Sequence, residues 1–264
     1  MKLFEIQQDA FSIYKSNLEK AKEGLDLNEF INQRKACKVE NSIGHVYIYG
    51  TLLRDASPIE KKLGNTDYAD VQEDLETVIR DGARAIVLHV DSGGGMVAGA
   101  IETAEIIQAL PVPIVAHVAG ACCSAAYKLA SGCSWIVATK SSDVGNIGSI
   151  MVWTDSSEAM KQLGLSVTAF VNQGAIYKST GHLDSLTDDQ STFLQESIDE
   201  AGTSFKNHVL SNRPNLNEVV FNAGWYSGTK ALELGLIDEI GNDKLALNRA
   251  SELAGLFMPE MIQE

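Results

Sequence analysis

The sequence predicts an α/β domain built on a mostly parallel sheet covered by helices. Three observations predict it. Apolar runs such as ARAIVLHV (83–90) and PIVAHV (113–118) are nearly continuous, as in strands buried on both faces. Amphipathic segments alternate with these runs along the chain. The 264 residues, 45% hydrophobic and 21% charged, suffice for one full core.

The elements follow in order. Residues 1–42 read as a polar, helical N-terminal segment, because Phe4, Phe11, Tyr14 and Leu18 fall on one helix face. The α/β domain then spans 43–264 and ends in shorter helices. HVYIYGTL (45–52) reads as a strand and TDYADVQEDLETVIRD (66–81) as an amphipathic helix. After the strand at 83–90 comes a glycine cluster, Gly93 to Gly95, read as a strand-to-helix turn, and a helix to about Leu110. PIVAHV is a strand, a short helix opens near Ser124, and SWIVAT (134–139) and SIMVWT (149–154) read as strands. A helix at 156–164, a strand in SVTAFV (166–171) and a long helix over 187–210 complete the pattern before two short C-terminal helices.

Composition excludes several functions. The formal charge of −14 and the absence of a basic block argue against nucleic-acid binding, which rests on Lys and Arg neutralising phosphates. No apolar run approaches the roughly 18–20 residues of a membrane span, and the charged start lacks a secretory h-region. A soluble, cytoplasmic protein is expected. Of four cysteines, Cys122, Cys123 and Cys133 lie in a small-residue stretch and read with Cys37 as free thiols, the three as compact apolar residues. The five histidines are scattered without ligand spacing, so neither a metal nor a cofactor is expected.

Two segments carry chemistry. Gly93-x-Gly95-x-x-Ala98 satisfies a dinucleotide fingerprint, but the next strand ends in Ala116-His117-Val118-Ala119-Gly120 without the ribose-binding carboxylate. The remaining readings are a plain tight turn and an oxyanion hole, where glycines let backbone N–H groups approach developing negative charge. In AGACCSAAYKLASG, Ser124 stands where a strand turns into a helix. That is the context of nucleophilic serines and also of ordinary N-caps. No histidine is selected by spacing as its base. A lysine made neutral by desolvation would serve, and Lys128 and Lys178 both qualify.

From roughly Ile43 to Asp243 the chain resembles the signal peptide peptidase A family of Ser–Lys proteases, most closely its phage prohead or capsid-assembly branch. Four segments carry the resemblance: DSGGGMVAGA, ACCSAAYKLAS, NQGAIYKSTG and GWYSGTKALELGLIDEIG. The resemblance implies a crotonase-like or Clp-protease-like α/β fold in a homo-oligomer. It also implies Ser124 as nucleophile, Lys178 rather than Lys128 as general base, and the N–H groups of Gly94 and Ala125 as oxyanion donors. Two positions depart from the family pattern. Gly93 replaces the proline before the paired glycines, and Asn146 stands where a serine helps orient the lysine.

The expected substrates are scaffold, portal or capsid proteins cleaved during prohead maturation. No membrane anchor is visible, which favours that branch over the signal-peptide-digesting members. The alternatives are a cytosolic housekeeping peptidase of the same family, distinguished by gene neighbourhood, and a non-catalytic structural oligomer.

Overall fold

The computed structural model describes residues 4–6, 35–179, 181–183 and 185–256. Its centre is a sheet in the order β10-β7-β6-β5-β3-β2, formed by Glu239–Ile240, Trp135–Ala138, Ile114–Cys123, Ala85–Met96, Ile43–Leu53 and Lys38–Glu40. β10, β7, β6, β5 and β3 run parallel, and β2 closes the edge antiparallel to β3. The short β4 (Thr66–Asp67) adds parallel to the end of β3, and β8 (Asp143–Gly145) parallel to the end of β6. β9 (Trp225–Ser227) pairs antiparallel with β8, and β1 (Phe4–Ile6) antiparallel with the end of β5. The expected mostly parallel sheet is therefore present.

The helices are α1 (Pro58–Lys62), α2 (Tyr68–Arg80), α3 (Ala100–Ala109), α4 (Ala125–Ser131), α5 (Ser157–Gln162), α6 (Asp188–Asn212), α7 (Gly228–Glu233) and α8 (Asp243–Leu253). α2 starts where the Asp67 carboxylate accepts from the Ala69 N–H, and it buries Val71, Leu75 and Val78 at i, i+4, i+7. Because β3, β5, β6 and β7 succeed one another in a single direction, right-handed crossovers place α2, α3 and α4 on the same face. That face holds the main core: Val46 and Ile48 of β3, Ile86, Leu88 and Val90 of β5, and Tyr127 and Leu129 of α4. The opposite face is covered by α8, whose Ala246 and Ala250 pack on Ile43, Ala85, Val87, Val115 and Val137. α8 reaches only part of that face.

Several expectations are corrected. The glycine cluster is not a turn: β5 continues through Gly93–Gly95 to Met96, and the helix begins only at Ala100. Gly95 is required there because a Cβ would lie 1.9 Å from the Leu52 carbonyl oxygen of the neighbouring β3. The segments 149–154 and 166–171 are not strands, since nothing among the described residues pairs with them beyond a bridge at Ile150. Several of their apolar residues are exposed, Phe170 to 96% and Val152 to 53%. The helical reading of 1–42 meets strands at Phe4–Ile6 and Lys38–Glu40, and Phe11, Tyr14 and Leu18 lie outside the described residues. Cys122, Cys123 and Cys133 are buried free thiols, as expected, and burial pushes the last two up to about 12, away from thiolate chemistry.

Candidate active site

Sheet register builds this site. Ser92 of β5 faces Cys122 of β6, which faces Val144 of β8. Two residues further along each chain from the first pair stand Gly94 and Ser124. The level lies at the carboxyl ends of parallel strands, where α/β sheets place their ligands. β5 and β6 are shaped for it by Asp91, whose Oδ1 accepts from the Ala121 N–H at 2.9 Å. Gly120 accommodates that carboxylate, since a Cβ there would lie 2.2 Å from Asp91 Oδ1.

Ser124 sits at the N-terminus of α4 with φ 54° and ψ −123°. Only a surrounding structure that over-determines the turn holds a non-glycine residue there, at a cost of about 1–3 kcal/mol. Its N–H donates to the Gly145 carbonyl at 2.8 Å, and its carbonyl accepts from the Lys128 N–H at 2.9 Å. The plain N-cap reading fails, because the Ser124 side chain makes no capping hydrogen bond. Its hydroxyl instead donates to the Gly148 carbonyl at 3.4 Å, a long bond, and the residue is fully buried. Ala125 is the first residue of α4, so its N–H has no intrahelical acceptor and points out of the helix start.

The other expected residues stand as follows. Gly94 has φ 102°, and its N–H donates to Ser92 Oγ at 3.2 Å, while Ser92 donates to the Gly50 carbonyl at 2.6 Å. Asn146 also has a left-handed φ, 53°, and its Nδ2 donates to the Ala223 carbonyl at 2.8 Å. That leaves the amide oxygen as the acceptor of this side chain. Lys178 is exposed on the excursion between β8 and α6. Its backbone is held by Gln190, whose Nε2 donates to the Lys178 carbonyl at 2.7 Å, and no hydrogen bond joins it to Ser124 among the described residues. Lys128 is not a surface lysine: it is 2% exposed, with Nζ 4.5 Å from the centroid of the Phe205 ring of α6.

Two features were not anticipated. β1 lies along Gly94–Met96, with Ile6 opposite Gly94, so the N-terminal strand borders the glycine segment of the site. Asp238, in the GLIDEIG segment, is structural: it pairs with Arg213 at 2.8 Å and accepts from the Ile136 N–H at 2.7 Å, fastening β7 to the C-terminal segment. Neither contact leaves a local sequence signal, because both join residues far apart in the chain.

The chain is similar to several known proteins. A candidate protease of Methanocaldococcus jannaschii is 31% identical over 202 residues, covering 74% of this chain and 64% of that protein. Capsid assembly protease C of Escherichia phage lambda is 29% identical over 244 residues, covering 88% of this chain and 55% of that protein. The chain thus spans less than two thirds of the length of either relative. Among solved structures, the Mtb enoyl-CoA isomerase superposes with a TM-score of 0.45 at 16% identity, over 86% of this chain and 87% of that one. No helix among the described residues is long and apolar enough to cross a membrane. The model of peptidase family S49 matches residues 108–256, from the end of α3 to the end of α8, and the chain belongs to that family.

Proposed function

We propose that this chain is a serine endopeptidase with a Ser–Lys dyad. The observation that carries the reading is the left-handed backbone of Ser124 at the strand-to-helix junction beside Gly94. In this reading Ser124 Oγ attacks the substrate carbonyl while neutral Lys178 takes its proton. The N–H groups of Gly94 and Ala125 bind the oxyanion, the Gly94 N–H exchanging Ser92 Oγ for it. Lys178 then protonates the departing amine. The acyl-enzyme is hydrolysed by water that the same lysine activates. Asn146 orients the lysine through its amide oxygen, its Nδ2 being committed to Ala223.

A lysine acts as a base near neutral pH only when desolvated, and Lys178 is exposed in the single chain. The excursion that carries it also exposes Phe170, Val171, Ile176 and Tyr177. A homo-oligomer that buries this apolar surface would close the lysine segment over Ser124 and dry it. Light scattering of the purified chain is expected to give a mass of several copies, and Phe170→Glu is expected to lower both mass and activity.

The substrates in this reading are scaffold, portal or capsid proteins of an assembling phage head, supported by the similarity to the lambda capsid assembly protease. An extended substrate would pair with the Gly94–Met96 edge by taking the place of β1, which pairs there in this structure. The deciding experiment is intact-mass detection of adducts with a fluorophosphonate probe on the assembled protein. One adduct per chain, lost in Ser124→Ala and Lys178→Ala, is expected. Its absence in the assembled wild type would favour a non-catalytic structural oligomer.

A further inference from the structure

The uncovered part of the second sheet face presents a file of histidines. Parallel register places His89 of β5 opposite His117 of β6, and Tyr47 of β3 opposite His89. His45, two residues before Tyr47, stacks on His89 with ring centroids 5.3 Å apart, and its Nδ1 lies 3.0 Å from His89 Nε2. Asp243, the first residue of α8, enters from above. Its Oδ1 is 3.4 Å from His89 Nδ1 and 3.5 Å from His117 Nδ1. One donor atom from each of His89, His117 and Asp243 lies within 4.8 Å of the others.

These distances are long for hydrogen bonds between a ring nitrogen and a carboxylate. They match the edge of a coordination tetrahedron, since ligands about 2.0–2.1 Å from a tetrahedral ion stand about 3.3 Å apart. His117 is 7% exposed, and it is the Nδ1 side of its ring that faces Asp243 Oδ1, at 3.5 Å. In the tautomer where His89 Nε2 donates to His45 Nδ1, the His89 Nδ1 lone pair is left to take an ion beside the Asp243 carboxylate.

We propose that His89, His117 and Asp243 bind a first-row divalent metal ion, best matched by zinc(II), with His45 holding His89 in the ligating tautomer. A set of two imidazoles and one carboxylate suits such an ion. The fourth position faces a cavity of about 370 Å³ that Tyr47, Tyr49 and Asp91 help to line. Two lysines border it. Lys38 is paired with Glu40 at 2.8 Å, and Lys35 Nζ lies 5.3 Å from the centroid of the Tyr47 ring. The ion would fasten the start of α8 to β5 and β6, on the face opposite the main core. The proposal does not depend on the peptidase reading.

The test is competition between the chelator-stripped full-length chain and a chromophoric zinc chelator at pH 7.5. One equivalent of zinc(II) is expected to bind, and His117→Ala and Asp243→Asn should each weaken it by about tenfold or more. Cobalt(II) should give the visible bands of a tetrahedral site in the wild type and lose them in both variants. The Asp243 side chain is 54% exposed, so Asp243→Asn separates loss of a ligand from loss of the fold. Ser124→Ala should bind like the wild type. Absence of stoichiometric zinc, or equal binding by wild type, His117→Ala and Asp243→Asn, would overturn the proposal. Binding lost only in Cys37→Ser would also overturn it, by assigning the ion to a thiol.

Discussion

The N–H of Ser124 donates to the carbonyl of Gly145 at 2.8 Å, tying the start of α4 to the end of β8. The bond holds Ser124 at φ 54°, where its side chain leaves the helix instead of capping it. Stability and chemistry therefore oppose each other at this residue. Ser124→Gly is expected to exceed Ser124→Ala in unfolding free energy by about 1 kcal/mol, because glycine accepts the left-handed region without a Cβ penalty. Urea titration of the two variants measures the difference, and both should lack peptidase activity. Equal stabilities would mean that the turn is not strained.

The two lysines separate by the same logic. Lys178→Ala should remove activity and leave the melting temperature within a degree or two, since the side chain is exposed. Lys128→Ala should lower stability by about 2 kcal/mol through lost packing on Phe205, with activity per folded molecule retained. Lys128→Met should recover most of that stability. Loss of activity in a folded Lys128→Met would instead make Lys128 the base.

Gly95 tolerates no side chain. A Cβ 1.9 Å from the Leu52 carbonyl forces β3 and β5 apart beside the site. Gly95→Ala is expected to cost about 3 kcal/mol and to reduce probe labelling of Ser124 in the fraction that folds. Differential scanning calorimetry alongside labelling reads both effects.

Asp238 predicts a purely structural phenotype. Its partner Arg213 is 10% exposed, so Asp238→Asn leaves a buried guanidinium without its counter-charge and should cost about 3 kcal/mol. Activity per folded molecule should be unchanged at temperatures well below the melting point.

His208 of α6 gives a pH signature. Burial lowers its folded-state pKa below the ordinary value of 6.5, the nearby Lys128 charge acting the same way, while its hydrogen bond to the Lys128 carbonyl and the charge of Glu105 oppose the shift. The unfolded chain therefore binds the extra proton first. His208 contributes no penalty above pH 6.5, and stability falls as pH drops below that value. His208→Gln should flatten the fall between pH 6.5 and 5 in urea titrations, and an unchanged slope would remove His208 from the account.

Legibility tracked locality. The strands in 45–52, 83–90, 113–118 and 134–139 and the helices at 66–81 and 187–210 were readable because each carries its own period and caps. One example is the box in which Gln190 N–H donates to Thr187 Oγ1 at 3.2 Å and Thr187 N–H to Gln190 Oε1 at 3.0 Å. The apolar runs at 149–154 and 166–171 have strand composition, but a strand exists only where a neighbour pairs with its backbone. The glycine cluster misled for the opposite reason: three glycines suggest a turn, while β3 and β1 supply partners that keep the segment extended.

The sequence by itself determined the alternation of strands and helices, the position of Ser124 at a strand-to-helix junction, and the buried, inert character of the clustered cysteines. All of these depend on residues within a few positions of one another. Tertiary structure alone decided that Ser92 pairs with Cys122, two residues before Gly94 and Ser124, that Lys128 packs beneath α6, and that His45, His89 and His117 form one file under Asp243. Those relations are set by the register of parallel strands, which joins residues about 30 or more apart through backbone hydrogen bonds common to every residue type. Side-chain order along the chain carries no record of them.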